Sequence, residues 1–411
     1  MPPRIAWRPN PVAIRQPMSR RQEFSTAKAR AFLKEQTRRS PIMFPFALLS
    51  VIGLFGWLAY FIPWYYEHVI IRPFRHFPEP VAQKLRRAMF YSRGRNMDMR
   101  EADRYFNEAL QVAAAVGMDQ FSDEAMAIKY LMALAFENGK AYSHATKVLE
   151  SLRFDTERWL EEQGDKHWHD GDRARVLKNL IQAMVKAGQL YSCRYLRDVD
   201  LAEKRLTWAV ETMLKEVHRR ETEGLKQGEG PFMSDEEIGA TLEALGTHYE
   251  TYNSHHLALP LFLRALDYCP KDSCHSVILM NNIATCLAQQ PLPKPPPPPT
   301  TPTTNTVIPP TPPLQPTRPQ VIAQARTWAE KALSHADTIP AENRDEECAT
   351  GCATATHNLG EFAEMEGRLQ EARELYDRAS RMAFRAGFKE GSVHAKEGLK
   401  RVDKKIKEES K

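Results

Sequence analysis

LGTHYETYNSHHLALPLFLRALDYCP, residues 245–270, decides the fold. Leu245-Gly246 and Tyr249 lie on one helical stretch. Ala258, Phe262 and Ala265 recur at i, i+4 and i+7 on the next, and Pro270 follows them. The small residues at 246 and 258 let two antiparallel backbones approach closely. Tyr249 and Phe262 fill the gaps between neighbouring units. Pro270 stops the second helix, because it has no N–H to donate and its ring clashes with the preceding turn.

These offsets match the tetratricopeptide pattern. Leu359-Gly360, Gly367, Ala372, Tyr376 and Ala379 make a second good unit, which departs at Ala363 and at Phe384, where an aromatic and a proline are expected. Weaker units surround these two. Ala102, Phe106 and Ala109 follow Leu85 to Tyr91. Met132-Ala133 and Phe136 pair with Ala145, Leu149 and Leu152. Arg175 to Tyr191 pairs with Ala202, Leu206 and Ala209 through a lengthened loop. Ile283-Ala284 and Leu287 pair with Ala325 to Ala336 beyond an insertion. The equivalent alanines, 102, 145, 202, 258, 325 and 372, are spaced more widely than the usual period of about 34 residues. No run alternates with period two. The expected fold is all-α: one N-terminal transmembrane helix, then a degenerate tetratricopeptide-like α-solenoid. The competing reading is an irregular helical bundle.

Ser40 to Tyr66 carries no charged side chain, and its apolar run from Ile42 to Ile62 is long enough to cross a bilayer core, which needs about 20 residues. Residues 1–66 hold ten Lys/Arg and two acids, a balance of +8; the chain total of +5 leaves −3 for residues 67–411. The larger part is therefore not a basic nucleic-acid binder on charge grounds. The Arg-rich, acid-poor leader has the composition of a mitochondrial targeting segment; a basic cytosolic tail is the alternative. Arg30, Phe32, Leu33 and Gln36 fit a short helix there. Residues 67–100 are also basic, so charge sets the orientation only by a small margin, with the N-terminus inside. The expected organisation is a basic targeting or matrix segment (1–41), an anchor (42–66), a linker (67–80), helical repeats (81–290), a Pro-rich disordered insertion (291–319) and further repeats with a terminal helix (320–411). Fourteen of the 29 residues of the insertion are proline, which favours extended polyproline II.

Catalytic signatures are missing from the sequence: there is no phosphate-cradling Gly-rich loop, no nucleophile elbow and no HExxH helix. Six cysteines (193, 269, 274, 286, 348, 352) match no zinc spacing and read as small buried residues between helices. His167-x-His169 and His255-His256 read as solvated polar faces. No cofactor or metal is expected, and the chain is not expected to be an enzyme. A solenoid instead offers a groove lined by the first helix of each pair. With the leucine before glycine as register, the groove candidates are Glu243, Thr247, Glu250, Asn281, Thr285, His357 and Glu361. They form no basic carboxylate clamp. They give a mixed to acidic surface, suited to peptides or partner helices.

PEPVAQKLRRAMFY, residues 78–91, and GMDQFSDE, residues 117–124, resemble segments of a fungal mitochondrial family. That family is the tetratricopeptide-containing Mgr-type subunit of the inner-membrane i-AAA protease supercomplex. The resemblance covers nearly the whole chain and implies an adaptor anchored in the inner membrane, N-terminus in the matrix and repeats in the intermembrane space. Its implied partners are the i-AAA protease, the protease's accessory subunit, and misfolded membrane proteins delivered for degradation. It transfers no groove residue, and no nucleic-acid partner is expected, on the charge grounds given above. Two other readings stand beside it: an outer-membrane receptor for chaperones or precursors, and a passive scaffold for a membrane complex.

Overall fold

The computed structural model describes residues 26–292 and 316–410. The start of the expected targeting segment and most of the Pro-rich insertion lie outside the described residues. The chain divides into two compact units, Met1–Arg75 and His76–Lys411.

In the first unit, helix α1 spans Thr26–Arg39 and α2 spans Met43–Tyr65. Twenty-three residues rise about 35 Å in an α-helix, against about 30 Å of bilayer hydrocarbon. None of the side chains of α2 is buried among the described residues, so its apolar surface is left exposed by them. Helical turns continue past residue 66, with a π-type stretch at Tyr66–Ile71 and a 3-10 turn at Arg72–Phe74. Most of the segment expected to be a linker is therefore wound, and the uncharged run extends without a break into this more polar stub.

Among the described residues, the second unit is built of six antiparallel helix pairs and a closing helix. The pairs are α3 (Glu79–Tyr91) with α4 (Met99–Ala115), α5 (Asp123–Asn138) with α6 (Tyr142–Glu162), and α7 (Asp172–Ser192) with α8 (Val199–Glu223). Then follow α9 (Asp235–Thr251) with α10 (His255–Tyr268), α11 (His275–Gln289) with α12 (Arg318–Thr338), and α13 (Glu346–Met365) with α14 (Leu369–Arg385). Helix α15 (Lys389–Glu409) closes the stack. Side-chain oxygens of Asp98, Ser122, Asp198, Ser234 and Asp345 accept the free N–H groups that open α4, α5, α8, α9 and α13. At α9 the Glu237 carboxylate also accepts from the Ser234 N–H at 2.8 Å, completing a capping box. Each second helix packs on its own partner and on the first helix of the next pair, so the core runs the length of the stack.

The six equivalent alanines all fall on second helices, and all are buried. One turn further on, Phe106, Leu149, Leu206, Phe262, Ala329 and Tyr376 are buried too. The first helices supply the complementary small residue. A Cβ at Gly246 would stand 2.9 Å from Phe262, at Gly360 3.0 Å from Tyr376, and at Gly188 2.5 Å from Leu206. Three pairs thus share one device: a missing side chain on the first helix accepts a large one from the second.

Two sequence expectations need correction. Cys274, at the N-cap of α11, and Cys348, in the first turn of α13, form a disulfide, with Cα atoms 4.8 Å apart. The two positions are 74 residues apart, and only the adjacency of α11 and α13 brings them together. Cys286 does behave as a buried packing residue, and burial pushes its thiol up to about 12. His255 is not on a solvated face. It is buried at the start of α10, where desolvation lowers its pKa.

Candidate functional site

A cleft of 420 Å³ opens on the face made by three successive first helices. Helix α5 contributes Asp123, Met126, Ala127 and Tyr130; α7 contributes Asn179, Gln182, Val185, Lys186 and Gln189; α9 contributes Glu237, Ala240 and Thr241. The α7 residues recur at i+3 and i+4 and so form one ridge along that helix. The floor mixes apolar side chains (Met126, Ala127, Tyr130, Val185, Ala240) with carboxamides.

Charges around the cleft are compensated in place. Lys186 meets Glu137 of α5 at 2.7 Å, and Lys178 meets Glu237 of α9 at 2.8 Å. Arg175 reaches Asp123 at 3.2 Å and Asp172 at 2.7 Å. Burial pushes the Glu237 carboxyl up, but hydrogen bonds from Lys178, the Ser234 N–H and Gln182 outweigh it and hold the group below its usual range. Asn179 donates to Asp123 at 2.6 Å and Gln182 to Glu237 at 2.8 Å. These bridges tie α5, α7 and α9 together and leave a nearly neutral, part-apolar trough. It can hold an extended segment or a helix face, and its basic groups are already occupied by acids.

The seven residues predicted from sequence lie on α9, α11 and α13, outside this cleft. Asn281 cannot line an open groove: it is buried, and its Nδ2 donates to the Gly351 carbonyl of α13 at 2.9 Å. Thr285 accepts from Asn358 at 3.3 Å, again between α11 and α13. His357 packs against Tyr376 of α14 and lies 3.4 Å from Glu361, which borders a smaller pocket with Glu364, Arg401 and Lys405. Thr247 is exposed on α9. Burial, then the nearby Glu243, raises the pKa of Glu250. Glu243 accepts from His275 at 2.7 Å, and the other ring nitrogen of His275 lies 3.3 Å from Glu347. This triad stitches α9, α11 and α13, and the hydrogen bond from His275 to Glu243 raises the imidazole to a pKa of about 9.

The residues that do line the cleft were marked by a fainter form of the same signal. Val185 and Tyr130 sit three residues before Gly188 and Ala133, as Glu243 does before Gly246. A second missed cluster joins the loop before α7 to the loop after α8. Glu216 accepts from Arg219 at 2.7 Å and Arg220 at 3.0 Å, while Arg219 also pairs with the buried Glu229. Trp168 lies beneath Arg173, Arg219 and Lys226. His169 bonds the Gln227 carbonyl at 2.8 Å and His167 bonds Asp170 at 2.6 Å, so both histidines of that motif help fasten loops.

The helix pairs make a tetratricopeptide-like α-solenoid. No family model matches the chain. It is similar to a TPR repeat-containing protein of Schizosaccharomyces pombe, 24% identical over 332 residues that cover 80% of each chain. Among solved structures it is similar to BtubC from P. vanneervenii (14% identity, TM-score 0.46, 70% of this chain and 91% of that one). It is also similar to YrrB, described as a TPR protein with an unusual peptide-binding site (14% identity, TM-score 0.35, 71% and 97%).

Proposed function

We propose that this chain is a membrane-anchored, non-catalytic adaptor that holds a segment of another protein in the α5–α7–α9 cleft. The observation that carries the reading is the cleft itself: an open, part-apolar trough whose charges are already paired, on a chain that also bears, among the described residues, one helix long and apolar enough to cross a membrane. Such a trough favours uncharged or mixed segments over anionic tails, because a second acid would compete with Glu137, Glu237 and Asp123 for the same cations.

The resemblance of residues 78–91 and 117–124 to the i-AAA protease subunits supports a finer form of the proposal. In it the chain sits in the mitochondrial inner membrane, binds that protease and its accessory subunit, and recruits misfolded membrane proteins to it. The Cys274–Cys348 disulfide favours a compartment that is not strongly reducing for the repeats. The test is co-isolation of the full chain from detergent-solubilised mitochondria, coupled to protease accessibility. The adaptor reading expects the protease among the captured proteins and repeats that become digestible only after the outer membrane is ruptured. Repeats digested in intact organelles would refute the inner-membrane placement and support an outer-membrane receptor. Capture of the protease with no client would leave a passive scaffold.

A further inference from the structure

We propose that the tip joining α3 to α4 is a docking surface for an anionic lipid bilayer, separate from the cleft. Arg93, Arg95 and Arg100 are exposed there, and none of them meets a carboxylate among the described residues. Phe90, 55% exposed, and Met97, 46% exposed, stand on the same tip. A short 3-10 turn at Gly94–Asn96 carries the loop round, with Gly94 at φ +66°. The one acid of the tip, Asp98, is engaged as the N-cap of α4, accepting from the N–H groups of Arg100 and Glu101.

Many arginines of the repeats are neutralised locally. Arg175, Arg205, Arg219, Arg326 and Arg401 each rest on a carboxylate. On α3, Lys84 and Arg86 pair with Glu108 and Glu79, while Arg87 lies over the Tyr105 ring. Three free guanidinium groups around two exposed apolar side chains suit a surface that offers phosphate and hydrocarbon together. Position in the chain selects a bilayer. The apolar helix and its stub end at Phe74, and α3 begins at Glu79. Only four residues separate the stub from α3, so the tip follows closely after the apolar helix in the chain. Basic residues just beyond a membrane helix are drawn to anionic headgroups.

The inference rests on the reading of α2 as an anchor, and the experiment separates the two. Full-length protein is placed in nanodiscs of phosphatidylcholine alone, or with phosphatidylserine added, and followed by amide hydrogen exchange. Strong protection of residues 43–65 in both lipids reports the spanning helix; without it, the anchor reading and the docking surface fall together. With it, residues 92–98 should exchange more slowly only in the phosphatidylserine discs. Salt at about 1 M, where the screening length is about 3 Å, should abolish that difference. So should Arg93→Glu with Arg95→Glu, each lost arginine weakening docking about fivefold while the unfolding temperature stays unchanged. Phe90→Ala should weaken it in the same direction. Equal exchange of 92–98 in the two lipids overturns the proposal while leaving the anchor intact. Slowing that requires an added acidic protein rather than lipid also overturns it, and assigns the tip to a protein partner.

Discussion

Gly246 shows how a single residue sets the distance between two helices. Its missing side chain is the space occupied by the Phe262 ring, and Gly360 does the same for Tyr376. Gly246→Ala should therefore destabilise the repeat unit by about 1–3 kcal/mol through overpacking, despite the better helix propensity of alanine. Denaturant unfolding would check this as a lower midpoint at unchanged slope. Cys348→Ser should cost about 2–4 kcal/mol under oxidising conditions, the usual value of a disulfide. A reductant should lower the melting temperature of the parent and leave the variant where it was. The glycine–aromatic device was legible because it is local: small and large residues recur at fixed offsets inside one unit. The disulfide was not, since nothing near Cys274 points to Cys348 until the stack sets α11 beside α13.

At the scale of elements, ion groups lock neighbouring helices, and pH should loosen them selectively. The His275 imidazole is raised to about 9 by its hydrogen bond to Glu243, and Glu347 on the next first helix adds to the effect. A raised pKa contributes stability that is fully present below the unfolded value near 6.5 and is lost as pH climbs through 9. Solvent reaches the ring, so the loss should be about 1 kcal/mol or less. It should vanish in His275→Gln, as measured by melting temperature between neutral and alkaline pH. The closing helix shows the opposite sign. Burial pushes Glu364 up, but hydrogen bonds from Arg401, Lys405 and Tyr376 outweigh it and hold the carboxyl at about 2. That stability is present above about 4.5 and is lost as pH falls toward 2. Exchange protection of α15 should therefore collapse in acid before that of α7. The cleft belongs to this scale, and here the sequence was only partly readable. The register that put Glu243 in the groove also leads to Tyr130 and Val185. However, α5 has Ala133 where glycine is expected, and α7 reaches its partner through a longer loop, so the strongest units drew attention away from the helices that form the trough.

Over the whole molecule, an apolar helix with no buried side chain, a basic leader and a stack of repeats support the proposed tethered adaptor. All-α architecture and helix pairing could be read from sequence because the strongest pairs carry their own small–large pattern. The position of the cleft could not, since it depends on three pairs together. Ala240, exposed between α7 and α9, is the place to probe it. Ala240→Arg should fill the trough and weaken partner capture by about tenfold or more with little change in stability, measured by quantitative co-isolation. The most direct measurement is site-specific photo-crosslinking from position 240 in the full chain in its native membrane. A discrete adduct with another polypeptide is expected, lost in Val185→Glu and not formed from position 384, where Phe384 lies exposed on α14. No adduct at 240, or equal adducts at 240 and 384, would contradict the adaptor reading.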